Sequence, residues 1–334
     1  HRDSFTRKYA LPGILILLLI VSTSTLFFLV RDKDSIEDKS IAVLPFINDS
    51  DNDSTTYVIN GIMDEILINL QTIKEFRVLG RTSVEQYRIP TKKTVEIAEE
   101  LGVRYILEGS GQKYGNTLVL RVQLLDGATG MHIWGTSIEK EIKHVASIID
   151  IQSAIAESIA LKLEAVITLE EKQLMEIIPT PSLTAYDFYL RGREEHVKFW
   201  LNQDNKELLE RPEDLYYKAL KYDSSFALAY NGLALVYWNR HYYDEYLSKN
   251  FLDSVRILAD KALKFDPQLA EAYVTKGNYY RRNGAKGKAM NEYDKAIKLN
   301  PNYWEAYWRK AWLYRLDDYV MTIDNYLKAA ALNR

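Results

Sequence analysis

Small residues and prolines recur at a fixed spacing in the C-terminal half of the chain, between stretches of mixed apolar and polar residues. Ala272 returns 34 positions later as Ala306, and Pro267 returns as Pro301. A fixed period of this length predicts stacked helical hairpins, because one hairpin cannot bury its apolar face without its neighbours. Each proline marks the end of a unit, since proline cannot continue a helix. We therefore predict a helical array, which is a scaffold suited to binding, over residues 185–334.

Within one unit the spacing resembles the tetratricopeptide repeat. The residues that carry this resemblance are Tyr273, Gly277, Tyr280, Ala289, Tyr293, Ala296 and Pro301. The resemblance implies an α-solenoid of about four such repeats, in which small residues let two helices approach and aromatic residues fill the gaps between hairpins. The unit that closes at Pro267 spans 43 positions instead of 34, so about nine residues are inserted near 240–250. In the last unit Leu327 and Ala330 stand at the repeat-defining positions.

The segment 40–168 shows both helical and strand periodicity and predicts one mixed α/β domain. Short apolar runs predict strands at 40–46, 76–79, 103–108, 117–125 and around 133–134. Amphipathic spacing predicts helices along 58–70, 94–101 and 148–163, the first of them capped by Asp53, Ser54 or Thr55. Pro179 and Pro181 place a linker at 169–184, between this domain and the array.

The N-terminal segment 9–30 is apolar apart from a few hydroxyl residues. About twenty such residues span a bilayer, so we predict a transmembrane helix, with a tail at 1–8 and a linker at 31–39. A cleaved signal peptide is the alternative, but the apolar run continues past any small-residue cleavage point. Because the chain begins with His1 and not with Met, we expect it to be the C-terminal part of a longer polypeptide.

Composition narrows the class of function. The net charge is -3 with evenly mixed signs, which gives no footprint for nucleic-acid binding. The absence of cysteine from the sequence excludes disulfides, thiol catalysis and cysteine-ligated metals. Five of the six tryptophans follow residue 186, as the aromatic positions of a helical array require.

Candidate catalytic patterns have simpler explanations. The five histidines have no metal-binding spacing. The segment 283–288 hints at a phosphate loop but falls at the turn of a repeat, and the alternating acids at 49–53 lack the glycine of a calcium loop. Asp64 and Glu65 are adjacent on a helix, so we expect them to point apart and to make surface or capping contacts. We therefore predict no catalytic, cofactor-binding or metal-binding residue, and no enzyme activity, within residues 1–334.

The inner face of the array is the candidate site, and its predicted function is to bind a protein or peptide. The positions that face inward in this repeat are Asn231, Trp238, Asn278, Arg281, Arg282, Trp308, Trp312 and Arg315. Asparagine and arginine beside tryptophan suit an extended peptide, whose backbone, acidic groups and apolar groups they would each bind. The alternative is that the tryptophans pack between helices while the arginines are ordinary solvated charges.

The α/β segment resembles the amino-terminal domain of TolB, in the version found in bacterial single-span signalling proteins. The segments that carry this resemblance are Ile41–Phe46, Gly61–Glu65, Gly80–Ser83 and Leu107–Ser110. In that family a membrane helix precedes the domain and tetratricopeptide repeats follow it. The resemblance implies a single-pass protein of the bacterial inner membrane, with its N-terminus in the cytoplasm and both folded parts outside it.

The same resemblance implies an output domain upstream of His1, commonly a class III nucleotide cyclase, which we favour, or a helix-turn-helix DNA-binding domain. The predicted function is signal transduction, in which the array binds a partner and regulates that output domain. Dimerisation is the expected way to carry a signal through one helix, so a homodimer is an expected state. A stand-alone envelope scaffold with no output domain is the other alternative.

Overall fold

The computed structural model describes residues 38–50, 53–89, 91–201, 206–243 and 249–333. The predicted membrane helix at 9–30, the tail at 1–8 and most of the linker at 31–39 lie outside these ranges, so they stay predictions. None of the helices within the described ranges combines the length and the apolar character needed to cross a bilayer. Residues 39–334 form one compact unit.

One sheet organises the first half of this unit. Its strands are β1 (Ser40–Val43), β2 (Ile47–Asn48), β3 (Arg77–Val78), β4 (Tyr105–Tyr114), β5 (Thr117–Asp126) and β6 (His132–Glu141). They lie in the order β3-β1-β4-β5-β6, with β2 also paired to β4. The pairs that β4 makes with β1 and β2 are parallel, as is the pair of β1 with β3, whereas β4, β5 and β6 are antiparallel. The β4–β5 hairpin turns at Gly115, whose φ of 57° is a conformation that glycine adopts without strain.

Within the described residues, five α-helices accompany the sheet. They are α1 (Thr56–Thr72), α2 (Arg81–Val84), α3 (Thr94–Leu101), α4 (Val145–Lys162) and α5 (Leu169–Met175). The predicted strands and helices of this segment are therefore present, and α5 is an additional helix inside the predicted linker. Of the three predicted caps on α1, Thr55 occupies the N-cap position, but its side chain makes no capping hydrogen bond.

The core lies on both faces of β1. Ile41 and Val43 belong to the larger apolar cluster with α1 and α4, while Ala42 belongs to the smaller one with α3. A strand covered on both faces has apolar residues on both of them, which is why every residue of β1 after Ser40 is apolar. On β5 the predicted alternation is confirmed, since Leu118, Leu120, Val122 and Leu124 all join the larger cluster.

Eight α-helices form four hairpins in the second half of the part of the chain that the structure describes. They are α6 (Leu183–Leu201), α7 (Glu210–Tyr222), α8 (Ala227–Tyr243), α9 (Lys249–Phe265), α10 (Ala270–Arg282), α11 (Lys286–Leu299), α12 (Trp304–Tyr314) and α13 (Tyr319–Leu332). Ala289, Tyr293 and Ala296, three of the repeat-defining residues, are fully buried. The second hairpin absorbs part of its insertion by lengthening, because α8 and α9 each have 17 residues whereas α10 has 13.

The last helix departs from the predicted pattern. Leu327 is 65% exposed and Ala330 is exposed, although both stand at repeat-defining positions, whereas Thr322 and Asn325 are buried. The helix α11 starts at Lys286, so the period of 34 would start α13 at residue 320, but α13 starts at Tyr319. A shift of one residue rotates a helix face by about 100°, which turns the apolar residues outward.

Both ends of the array contact the α/β region. At the first end, the Asn60 amide on α1 donates to Glu194 on α6 at 2.9 Å. At the other end, the Asn302 side chain accepts from the Val78 backbone N–H at 3.0 Å and donates to the Gln71 carbonyl at 2.8 Å. The α/β region therefore joins the first repeat to the last and closes the array around its own helix α1.

Candidate protein-interaction site

Four side chains of the predicted site stack across three repeats. The Arg281 guanidinium carbon lies 5.9 Å from the ring centre of Trp238 and 4.7 Å from that of Trp312. The Arg315 guanidinium carbon lies 3.6 Å from the Trp312 ring centre. We call Trp238, Arg281, Trp312 and Arg315 the Trp–Arg stack. It joins α8, α10 and α12, which are the first helices of three successive hairpins.

The repeat itself produces the stack. Residue 238 advanced by 43 gives 281, and 281 advanced by 34 gives 315, so three members occupy equivalent positions in successive units. Equivalent positions on stacked hairpins line up, so a side chain at this position meets its neighbours above and below. Trp312 stands on α12 one turn before Arg315, which directly follows that helix, and both arginines contact the Trp312 ring.

The stack runs from the interior to the surface. Trp238 is buried and packs with Leu252 and Val255, whereas Trp312 is half-buried and Arg315 is exposed. An arginine that lies over an aromatic ring uses its face for that contact and keeps N–H donors along its edge. Each such contact stabilises by roughly 0.5–2 kcal/mol, depending on its exposure. The outer end of the stack therefore offers a fixed guanidinium beside an apolar ring.

Two further predicted residues lie at the surface outside the stack. Arg282 is exposed at the end of α10, and Trp308 is 37% exposed on α12. The contact of Trp308 is with Arg309, whose guanidinium carbon lies 4.6 Å from its ring centre. Arg309 was not among the predicted site residues, although its place next to Trp308 is a sequence signal that points to it.

The two predicted asparagines lie inside the array. Asn231 accepts a hydrogen bond from the Thr275 hydroxyl, and Asn278 accepts one from the Tyr293 hydroxyl, both at 2.9 Å. Each asparagine is at most 5% exposed. In this structure they connect neighbouring helices, and neither belongs to the exposed part of the site.

A second feature is a chamber between the array and the α/β region. Its volume is about 310 Å³, and Glu65, Arg193 and Glu271 are among its lining residues. Arg193 donates to Glu65 at 2.6 Å. Burial raises the pKa of Glu271 to about 7, and the nearby Glu65 carboxylate adds to the rise. The Glu65–Arg193 ion pair and the Glu271 carboxyl group, whose pKa is raised toward neutral pH, thus both line the chamber.

The expectation for Asp64 and Glu65 is wrong. Asp64 is 1% exposed and forms ion pairs with Arg81 and with Arg193, the latter at 3.3 Å. Glu65 contacts the same Arg193. The Arg193 side chain, on α6, reaches the carboxylates of both Asp64 and Glu65 on α1. These ion pairs hold the array to the α/β region. No surface or capping role is left for them.

A family model and a distant relative match parts of this chain. Residues 37–158 match the family model described as HilA/YgeH-like transcriptional regulator, second domain. A protein of Rhizobium meliloti (strain 1021) named as an adenylate cyclase is 28% identical over 197 residues, covering 59% of this chain. The chain spans only 32% of the length of that protein.

Solved structures resemble parts of this chain. The first tetratricopeptide domain of Spaghetti (RPAP3), bound to the HSP90 peptide SRMEEVD, is 16% identical, with a TM-score of 0.33 over 42% of this chain and 98% of its own. TolB from Acinetobacter baumannii is 15% identical, with a TM-score of 0.29 over 38% of this chain and 28% of its own. The chain combines a mixed α/β region with a helical array. Tetratricopeptide domains are among its structural neighbours, and it has a distant relative named as a cyclase.

Proposed function

We propose that this chain is the protein-binding, regulatory region of a membrane-anchored bacterial signalling protein. The Trp–Arg stack carries the proposal, because it places aromatic and cationic side chains at one repeat position on three successive hairpins. Tryptophan and arginine are also the residues most often found at the energetic centre of protein interfaces.

The chemistry of the stack favours a peptide with an acidic group. The exposed edge of Arg315 would donate to a carboxylate, either an acidic side chain or a C-terminal carboxyl group, in a charge-assisted hydrogen bond. The adjacent face of Trp312 would pack against an apolar group of the same peptide. Trp238 and Arg281 would support this arrangement from behind by fixing the Trp312 ring.

Peptide binding can be tested with the Arg315→Ala variant. A display library of peptides with free C-terminal carboxylates supplies the binder, and fluorescence anisotropy measures its affinity. Loss of one charge-assisted hydrogen bond weakens binding by roughly 10- to 100-fold. The matched control is Arg211→Ala on α7, where the arginine side chain is 74% exposed and far from the stack in sequence. Equal affinity of wild type and Arg315→Ala would show that the stack is not the binding site.

We further propose that the signal passes through the predicted membrane helix at 9–30 to a cytoplasmic output domain upstream of His1. The relative named as an adenylate cyclase supports a class III nucleotide cyclase as that domain. The proposed location is the bacterial inner membrane, with the α/β region and the array outside the cytoplasm.

A helix-turn-helix output domain is the second candidate, because the family model that matches residues 37–158 describes a transcriptional regulator. The coding sequence upstream of His1 distinguishes the two. A cyclase domain predicts nucleotide cyclisation by membranes that contain the full protein, and a change in its rate when the array binds its peptide. A DNA-binding domain, or a start codon a few residues before His1, would refute the cyclase proposal.

A further inference from the structure

The outward side of α13 is an apolar surface on a folded, amphipathic helix. Tyr319 is 74% exposed, Val320 76%, Ile323 59% and Leu327 65%. They recur at spacings of three and four residues and therefore lie on one face. Leu316, in the turn just before the helix, is also 79% exposed. We call these five residues the outer face of α13.

The outer face of α13 carries apolar residues that the sequence period would bury, but the shift of one residue turns them to the surface. In sequence, Ile323 and Leu327 stand 34 positions after Ala289 and Tyr293 on α11. Those two residues are fully buried within the stacked hairpins. On α13 the polarity is inverted, because Thr322 and Asn325 are buried while the large apolar residues face outward. Contiguous exposed apolar residues of this kind mark an interaction surface.

We propose that the outer face of α13 is a homodimer interface, in which two copies of α13 pack antiparallel with Ile323 on the two-fold axis. A two-fold interface requires a surface that is complementary to itself. In an antiparallel pair centred on Ile323, residues that lie equally far before and after 323 face each other. Residue 319 therefore pairs with 327, and 320 pairs with 326. The antiparallel arrangement thus places Tyr319 of each copy on Leu327 of the other, and an aromatic residue beside an aliphatic one is a favourable interface pair.

Charge complementarity supports the same arrangement. Residues 318 and 328 are each five positions from 323, so Lys328 of each copy faces Asp318 of the other. Within one chain Lys328 pairs with Asp324 at 2.9 Å, and both side chains of that pair are about half exposed. A pair as exposed as this contributes little energy and can exchange partners. Two opposite charges at the rim fix the antiparallel direction, because a parallel pair would place like charges together.

This interface rests on α13 alone and does not depend on peptide binding by the Trp–Arg stack. In a membrane-anchored protein it would bring two N-terminal segments together. Its failure and the failure of the proposed function are therefore separate results.

Cysteine cross-linking of the full chain in membranes tests the geometry, because the sequence has no cysteine of its own. The Ile323→Cys variant should form a covalent dimer with an oxidant or a short bismaleimide, since the two side chains meet at the axis. The matched control is Ile257→Cys on α9, an isoleucine that is 46% exposed on another part of the array. Equal cross-linking of the two variants would overturn the proposal.

Light scattering of the detergent-purified chain tests the energetics. Leu327→Glu introduces two carboxylates into an apolar interface and removes two leucines, so the dissociation constant should rise at least about 100-fold. Leu161→Glu changes a leucine that is 81% exposed on α4 and should leave the dimer intact. A wild-type chain that stays monomeric at high concentration would overturn the proposal and assign the face to another partner.

Discussion

Glu271 offers a direct test of the closed arrangement of the array around helix α1. It stands in the first turn of α10 and lines the chamber that the α/β region closes. If the array were open at this point, water would solvate the carboxylate and its pKa would be ordinary. The perturbation is therefore Glu271→Gln, which keeps the shape of the side chain and removes its titration.

The expected change in stability with pH follows from the pKa of Glu271. Burial raises the pKa of Glu271 from its ordinary 4.5 to about 7. The folded protein thus keeps a proton that the unfolded chain releases, and stability falls as pH rises from the lower value through the higher one. At roughly 1.4 kcal/mol for each pKa unit, the carboxylate costs up to about 3 kcal/mol at pH 8 and well under 1 kcal/mol at pH 4.

Urea unfolding at pH 4 and pH 8, followed by tryptophan fluorescence, measures this difference. Glu271→Gln should stabilise the protein by about 1–3 kcal/mol at pH 8 and have little effect at pH 4. The control is Glu99→Gln, which changes an exposed glutamate on α3 and should leave the pH dependence unchanged. Identical pH profiles for wild type and Glu271→Gln would refute the closed chamber, because the carboxylate would then be solvated in the folded protein.

Two further predictions concern packing. Asn302→Ala leaves the buried Val78 N–H without its acceptor, so we expect a loss of about 2–4 kcal/mol in the free energy of unfolding. A loss below about 0.5 kcal/mol would show that this end of the array does not dock on the α/β region. In Gly277→Ala the new methyl carbon would lie 2.5 Å from the buried ring of Tyr293, which should destabilise the protein by about 1–3 kcal/mol. Gly287→Ala, where the added carbon meets open space, should instead be neutral or stabilising by up to about 1 kcal/mol, and both variants can be compared by thermal unfolding.

The sequence predicted only part of the candidate site. The period identified the inward positions, and four of them form the Trp–Arg stack. It could not tell that Asn231 and Asn278 would find hydrogen-bonding partners inside the array, because those partners are Thr275 and Tyr293 on other helices. Burial of a polar side chain depends on the packing of several helices, whereas the period specifies only which positions are equivalent.

The orientation of α13 shows the same limit. Its apolar residues follow the repeat pattern, yet a start one residue early turns them outward. The length of the preceding turn sets that rotation, and a pattern of apolar positions does not contain it. Asp64 is similar, since its burial depends on Arg81 and Arg193, which lie on two other helices.

The sequence by itself determined most strands and helices of the sheet region, the repeated hairpins and the alignment of equivalent positions along the array. These features follow from local periodicity and nearest-neighbour packing, which are written directly into the order of residues. Only the tertiary structure decided that the last repeat docks on β3, that a chamber closes around Glu271 and that α13 presents its apolar face. Those outcomes depend on contacts such as that between Val78 and Asn302, which are separated by 224 residues and share no sequence period.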